Sequence, residues 1–172
     1  MRDLADRARI EAALAALGAA AEAGTRVYLT GGATAVLLGW RDSTIDIDIR
    51  PVPESERLLR AIPLVKESQR VNVELASPLD FVPVPEGWEE RGLFERDFGS
   101  LAVYHFDLYA QALSKVERGH AQDVADVEAL LGRGLVERAA ALAYFERIEP
   151  ELYRFPAIDP ASFRRAVEML FA

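Results

Sequence analysis

The sequence predicts an α+β fold, a short mixed β-sheet flanked by helices and followed by a helical C-terminal part. Three observations carry this prediction. Residues 26–30, 44–49, 71–75 and 101–105 are short runs rich in Val, Ile, Leu and Tyr, and some of them alternate apolar with polar residues. Residues 3–23 place apolar side chains at helical spacing and contain no proline. Beyond His105, helix signals follow one another to the end of the sequence. A length of 172 residues suits one domain, or a small core with a helical annex, better than two independent domains. The expected organisation is a core at residues 1–106 and a helical region at 107–172 packed on it as a single compact unit.

In chain order, Ile10, Leu14, Leu17 and Ala21 mark the inward face of the first helix, and Gly24 ends it. Arg26 to Thr30 reads as a strand running into Gly31 and Gly32, and a short helix over 33–38 closes at Gly39. The next strand sets Ile45, Ile47 and Ile49 against Thr44, Asp46 and Asp48. Pro51 and Pro53 are expected to stop it, with a helix over 54–62. Residues 71–75 put Asn72 and Glu74 opposite Val71, Val73 and Leu75. Residues 76–92 read as a long loop with one short extended piece at Phe81 and Val82. After the strand at 101–105, Asp107 can cap a helix running to about Arg118. Helices at about 121–131, 136–147 and 160–171 follow, with Val124, Val127 and Leu131 facing inward from the first of them and Phe163, Val167 and Leu170 from the last.

Composition excludes several classes of function. Half of the residues are apolar and 28% are charged, so disorder is not the default. There is no cysteine, which rules out disulfides and thiolate metal sites, and two histidines are too few for a histidine-built zinc site. No run reaches the roughly 20 uninterrupted apolar residues that span a bilayer. The first residues are charged rather than signal-like, so the expectation is a cytoplasmic protein with no membrane partner. A net charge of −8 argues against a broad nucleic-acid footprint, although a local basic groove stays open. No P-loop, G-x-S-x-G or H-E-x-x-H motif is present.

The chemistry concentrates in residues 29–50, LTGGATAVLLGWRDSTIDIDIR. Gly31 and Gly32 stand between a strand and a helix, where unpaired amides and the helix dipole favour phosphate and where the missing Cβ lets a ligand come close. Asp46 and Asp48, at i and i+2 of a strand, project to one side with Cα atoms roughly 6.5–7 Å apart. Two carboxylates so placed can converge on a hard divalent cation, Mg²⁺ or Mn²⁺. The alternative is a solvated strand face, but Asp is a poor strand former, and Asp42 adds a third negative charge nearby.

A glycine pair opening a helix, then thirteen residues, then Asp-Ile-Asp-Ile resembles the nucleotidyltransferase superfamily with the DNA polymerase beta-like fold. Together with the downstream DLYAQALSKVERGHAQDVADVEALL, the stretch is more closely similar to small bacterial nucleotidyltransferase-like proteins and to the AbiEii-type toxins of toxin-antitoxin systems. The resemblance implies that Gly31 and Gly32, with Thr30 or Ser43, hold the triphosphate of a nucleoside triphosphate (ATP or another). Asp46 and Asp48 would bind Mg²⁺ (or Mn²⁺), with Glu74 as a third carboxylate or simply as an exposed strand residue. Lys115 and Asp123 resemble a lysine and an aspartate of the toxin-type relatives: at the nucleotide site, Lys115 would meet the phosphates and Asp123 would hold that lysine or act in acceptor chemistry, or both would serve as ordinary surface charges. Arg118 shares the face of Lys115, and His120 lies at the bend between two helices, where it could touch phosphate but reads rather as a cap. The implied reaction transfers a nucleoside monophosphate to an acceptor hydroxyl on RNA, a protein or a small molecule, with a cognate antitoxin as a further implied partner. The alternative is a catalytically inactive relative that binds a nucleotide or a partner protein.

Overall fold

Seven strands and seven α-helices are present among the described residues, 2–172, of the computed structural model. In order these are β1 (Ala5–Asp6), α1 (Arg7–Ala20), β2 (Thr25–Thr30), α2 (Gly32–Leu38), β3 (Ser43–Thr44), β4 (Asp46–Val52), α3 (Glu56–Gln69), β5 (Asn72–Leu75), β6 (Leu93–Phe98) and β7 (Leu101–His105). Then come α4 (Leu108–Arg118), α5 (Ala121–Gly132), α6 (Arg138–Ile148) and α7 (Pro160–Phe171), with short 3-10 segments at Pro78–Asp80 and Glu149–Arg154. The fold is α+β, as the sequence predicts. No helix of the described residues is long and apolar enough to cross a membrane.

The chain divides into two compact units. The first runs up to Ser77 and includes Gly92–Phe106; the second is Pro78–Arg91 with Asp107–Ala172. In the first, a five-stranded sheet has the order β5-β4-β2-β7-β6, with β2 antiparallel to β4 and parallel to β7, β4 parallel to β5, and β6 antiparallel to β7. Its inward residues, among them Val27, Leu29, Ile47, Ile49, Val73 and Val103, are buried with Ile10, Leu14 and Leu17 of α1 and Leu58 and Val65 of α3. Burial of each such side chain contributes about 1.5–3 kcal/mol. Asp6 accepts from the Arg9 amide and Ser55 from the Leu58 amide, which starts α1 and α3.

Several expectations need correction. Pro51 does not stop β4; it pairs with Val27 in register, and the strand continues to Val52. Beyond Ile49 the strand has no paired β5 residue, so Pro51 sits at a local edge where its missing N–H breaks no ladder. The helix expected over 54–62 runs on to Gln69 through Pro63, which lies on its exposed side while Ala61, Ile62 and Val65 hold the apolar face. Phe81 and Val82 form no strand; they follow a 3-10 turn, their amides bonded to the Pro78 carbonyl. Leu93–Phe98 is a strand for which the sequence reading leaves no element.

In the second unit, Asp107 caps α4 by accepting from the amides of Tyr109 and Ala110. It also receives Arg91 Nε at 2.6 Å and the Tyr144 hydroxyl at 3.0 Å. Burial, and then the Asp107 charge, push the Tyr144 phenol well above its ordinary range. On α5 Val127 is buried as expected, with Asp123, Asp126 and Leu130 beside it in place of Val124 and Leu131. On α7, Phe171 is buried with Phe163 and Val167 in place of Leu170.

Candidate functional site

Strand alternation puts the polar residues of β4 and β5 on the sheet face opposite the apolar core. Register then aligns them across strands. Thr30, Asp48 and Glu74 form one row over β2, β4 and β5, and Asp46 and Asn72 form the next. Asn72 Nδ2 donates to Asp46 Oδ1 at 2.6 Å and to Glu74 Oε1 at 2.7 Å, so one amide lies between two carboxylates. Arg2 Nη1 in turn donates to Asn72 Oδ1 at 3.2 Å.

The turn after β2 is shaped by its glycines. Gly31 has φ 64° and ψ −131°, a backbone conformation that a residue with a Cβ adopts only with strain. A Cβ there would stand 3.2 Å from Asp48 Oδ2. At Gly32 a Cβ would stand 1.9 Å from Thr44 Oγ1, whose hydroxyl donates to the Asp46 carbonyl at 3.0 Å. The two halves of the motif are therefore packed together, Gly31 against Asp48 and Gly32 against the residue that leads into β4. Ser43 lies on β3, paired with Asp6.

Asp46 and Asp48 offer hard oxygen donors from one strand face, which suits a divalent cation of the Mg²⁺ or Mn²⁺ kind. The Asn72 amide, donating to Asp46 and Glu74 together, marks a place where partial positive charge is already accommodated between carboxylates. Asp46 and Asp48 thus supply the donor type that such an ion takes. Among the described residues, however, no three acidic or histidine side chains are gathered closely enough to form a complete cluster, and Glu74 Oε1 accepts from Asn72.

Behind the turn, on the covered face, lies a polar chain that sequence reasoning missed. His105 is fully buried; its Nε2 lies 2.8 Å from Glu95 Oε2 and its Nδ1 3.0 Å from Thr34 Oγ1. The signal was present in the alternation of 101–105, where His105 takes the inward position shared by Leu101 and Val103.

A family model described as a nucleotidyltransferase of unknown function (DUF6036) matches residues 8–139. The chain belongs to this nucleotidyltransferase family. No curated protein and no solved structure matches it. The family match spans Gly31, Gly32, Asp46, Asp48 and Glu74 in the first unit and reaches through α4 and α5 into α6 of the second.

In the helical unit of this nucleotidyltransferase family member, Lys115 is 5% exposed and its Nζ lies 2.7 Å from Asp126 Oδ2, against 3.7 Å from Asp123 Oδ1. The nearer partner of the lysine is thus Asp126, a residue the sequence reading did not single out. Asp123 is held instead by Arg118, through Nε at 2.8 Å and Nη2 at 2.5 Å, and it accepts from the His120 amide. Burial raises the Asp123 pKa, but its bonds from Arg118 outweigh that and leave it below the ordinary range. His120 is the N-cap residue of α5.

Proposed function

We propose that this family member transfers a nucleoside monophosphate from a nucleoside triphosphate to an acceptor hydroxyl in a reaction dependent on Mg²⁺ or Mn²⁺. The observation that supports this is the row of Thr30, Asp48 and Glu74 with Asp46 beside it, packed against Gly31. In the reaction the acceptor oxygen bonds to the α-phosphorus. The bond from that phosphorus to its bridging oxygen breaks, and pyrophosphate leaves with the electron pair. The metal, when bound, supplies neutralisation of the triphosphate and a more acidic acceptor hydroxyl. Asp46 and Asp48 would hold it, and the amides of Gly31 and Gly32 with the hydroxyl of Thr30 or Ser43 would bind phosphate oxygens. For Glu74 to complete the carboxylate set and take the acceptor proton, its carboxylate would have to leave Asn72.

A second reading is a non-catalytic member that binds a nucleotide or a partner protein, including an antitoxin. What favours it is the engagement of the Glu74 carboxylate by Asn72, together with the lack, among the described residues, of a three-carboxylate cluster. Incubation of the protein with α-labelled nucleoside triphosphates and cell extract separates the two. Metal-dependent transfer of label to RNA, protein or a small molecule, lost in Asp46→Asn with Asp48→Asn, supports the enzyme and reveals its acceptor class. Nucleotide binding without any transfer supports the second reading.

A further inference from the structure

We propose that the buried chain Glu95–His105–Thr34 is a positioning device for the carboxylate face, fixing the turn after β2 and through it the side chain of Asp48. The proposal rests on the nucleotidyl-transfer reading and adds residues on the opposite side of the sheet from the carboxylates. His105 stands beside Leu29 in the parallel β2–β7 pair. The Thr34 hydroxyl lies 3.3 Å from the Leu29 carbonyl, which also accepts from the Phe106 amide at 2.7 Å. Leu29 leads directly into Thr30 and Gly31, and Gly31 packs against Asp48 Oδ2. A continuous path therefore runs from Glu95 on β6, through His105 on β7 and Thr34 on α2, to the backbone that abuts Asp48.

Packing alone does not call for this chain. Its neighbours Leu29, Ala33, Val36, Leu37 and Val103 form an apolar core, in which valine and leucine at positions 34 and 105 would avoid the desolvation that polar groups incur. What a fully bonded polar chain adds is a fixed geometry. Hydrogen bonds join the two ends. Glu95, which Arg7 and Arg96 also attract, accepts from Nε2–H. Thr34 Oγ1 lies between His105 Nδ1 at 3.0 Å and the Leu29 carbonyl at 3.3 Å, so the hydroxyl links the ring to the backbone entering the turn.

The test uses the full-length chain with ATP and Mg²⁺ as probes. Nitrogen NMR of the His105 ring, assigned against a His120→Gln sample, is recorded while ATP and Mg²⁺ are added, and affinities are measured for wild type, Thr34→Val, Thr34→Ser and Asp48→Asn. We expect the His105 ring signals to shift on binding. Thr34→Val, which keeps the shape but loses the hydroxyl, is expected to bind about tenfold more weakly, and Thr34→Ser to restore affinity. Binding that depends on Asp48 but is unchanged in Thr34→Val, or ring signals that stay fixed at saturation, overturns the positioning device alone. A wild type that binds no ATP in the presence of Mg²⁺ overturns both this proposal and the reading beneath it.

Discussion

Glu74 stands in register with Asp48 across the parallel pair of β4 and β5, so two carboxylates occupy neighbouring positions on one face of the sheet. Like charges placed side by side on a sheet are destabilising. Asp48→Asn is therefore expected to stabilise the metal-free chain by about 0.5 kcal/mol in urea denaturation. The same substitution is expected to remove metal-dependent nucleotide binding. A gain in stability together with a loss of binding is what separates a functional carboxylate from a solubilising one.

Gly32 has no room for a side chain. A Cβ would stand 1.9 Å from Thr44 Oγ1 and 2.5 Å from Thr44 Cβ. Gly32→Ala is expected to cost about 1–3 kcal/mol, measured as a lower urea midpoint with an unchanged m-value. Thr44→Gly in the same background is expected to recover part of the loss, because it removes both clashing atoms.

Lys115 and Asp126 form a buried pair, with Asp126 fully buried. Lys115→Met leaves a buried carboxylate without its cation and is expected to cost about 3–5 kcal/mol. Lys115→Met with Asp126→Leu is expected to lie much closer to wild type, so a double-mutant cycle by chemical denaturation should show strong coupling.

The Glu95 carboxyl is held below its ordinary value of 4.5, first by the hydrogen bond from His105, with burial acting in the opposite direction. Its folded pKa thus lies below its unfolded one, and the unfolded chain binds that proton more readily. The stabilisation is fully present above the unfolded pKa and is lost as pH falls through the folded one. Glu95→Gln is expected to flatten the acid limb of stability against pH below about pH 4.5, followed by thermal denaturation at stepped pH.

The legible parts of this molecule are those set by local periodicity. Alternation alone placed Asp46 and Asp48 together on one face, and Gly39 and Asp107 marked the end of α2 and the start of α4 as the structure has them. Pro51 misled because a proline rule for strand interiors does not apply once β4 has run past Leu75 of β5. Leu93–Phe98 was hidden because it is an edge strand with exposed Leu93 and Phe94 and an irregularity between Phe94 and Arg96 that breaks the period of two. Asp123 and Asp126 are both within reach of Lys115 along a helical hairpin, and only the packed geometry shows which is nearer. The Glu95–His105–Thr34 chain joins three separate elements, so no single window of sequence contains it.

Calorimetric titration of the protein with nucleoside triphosphates, with and without Mg²⁺, tests the central claim most directly. The prediction is binding that requires the metal and disappears in Asp46→Asn with Asp48→Asn while the fold is retained. Binding that is indifferent to metal, or that survives loss of both carboxylates, would contradict it.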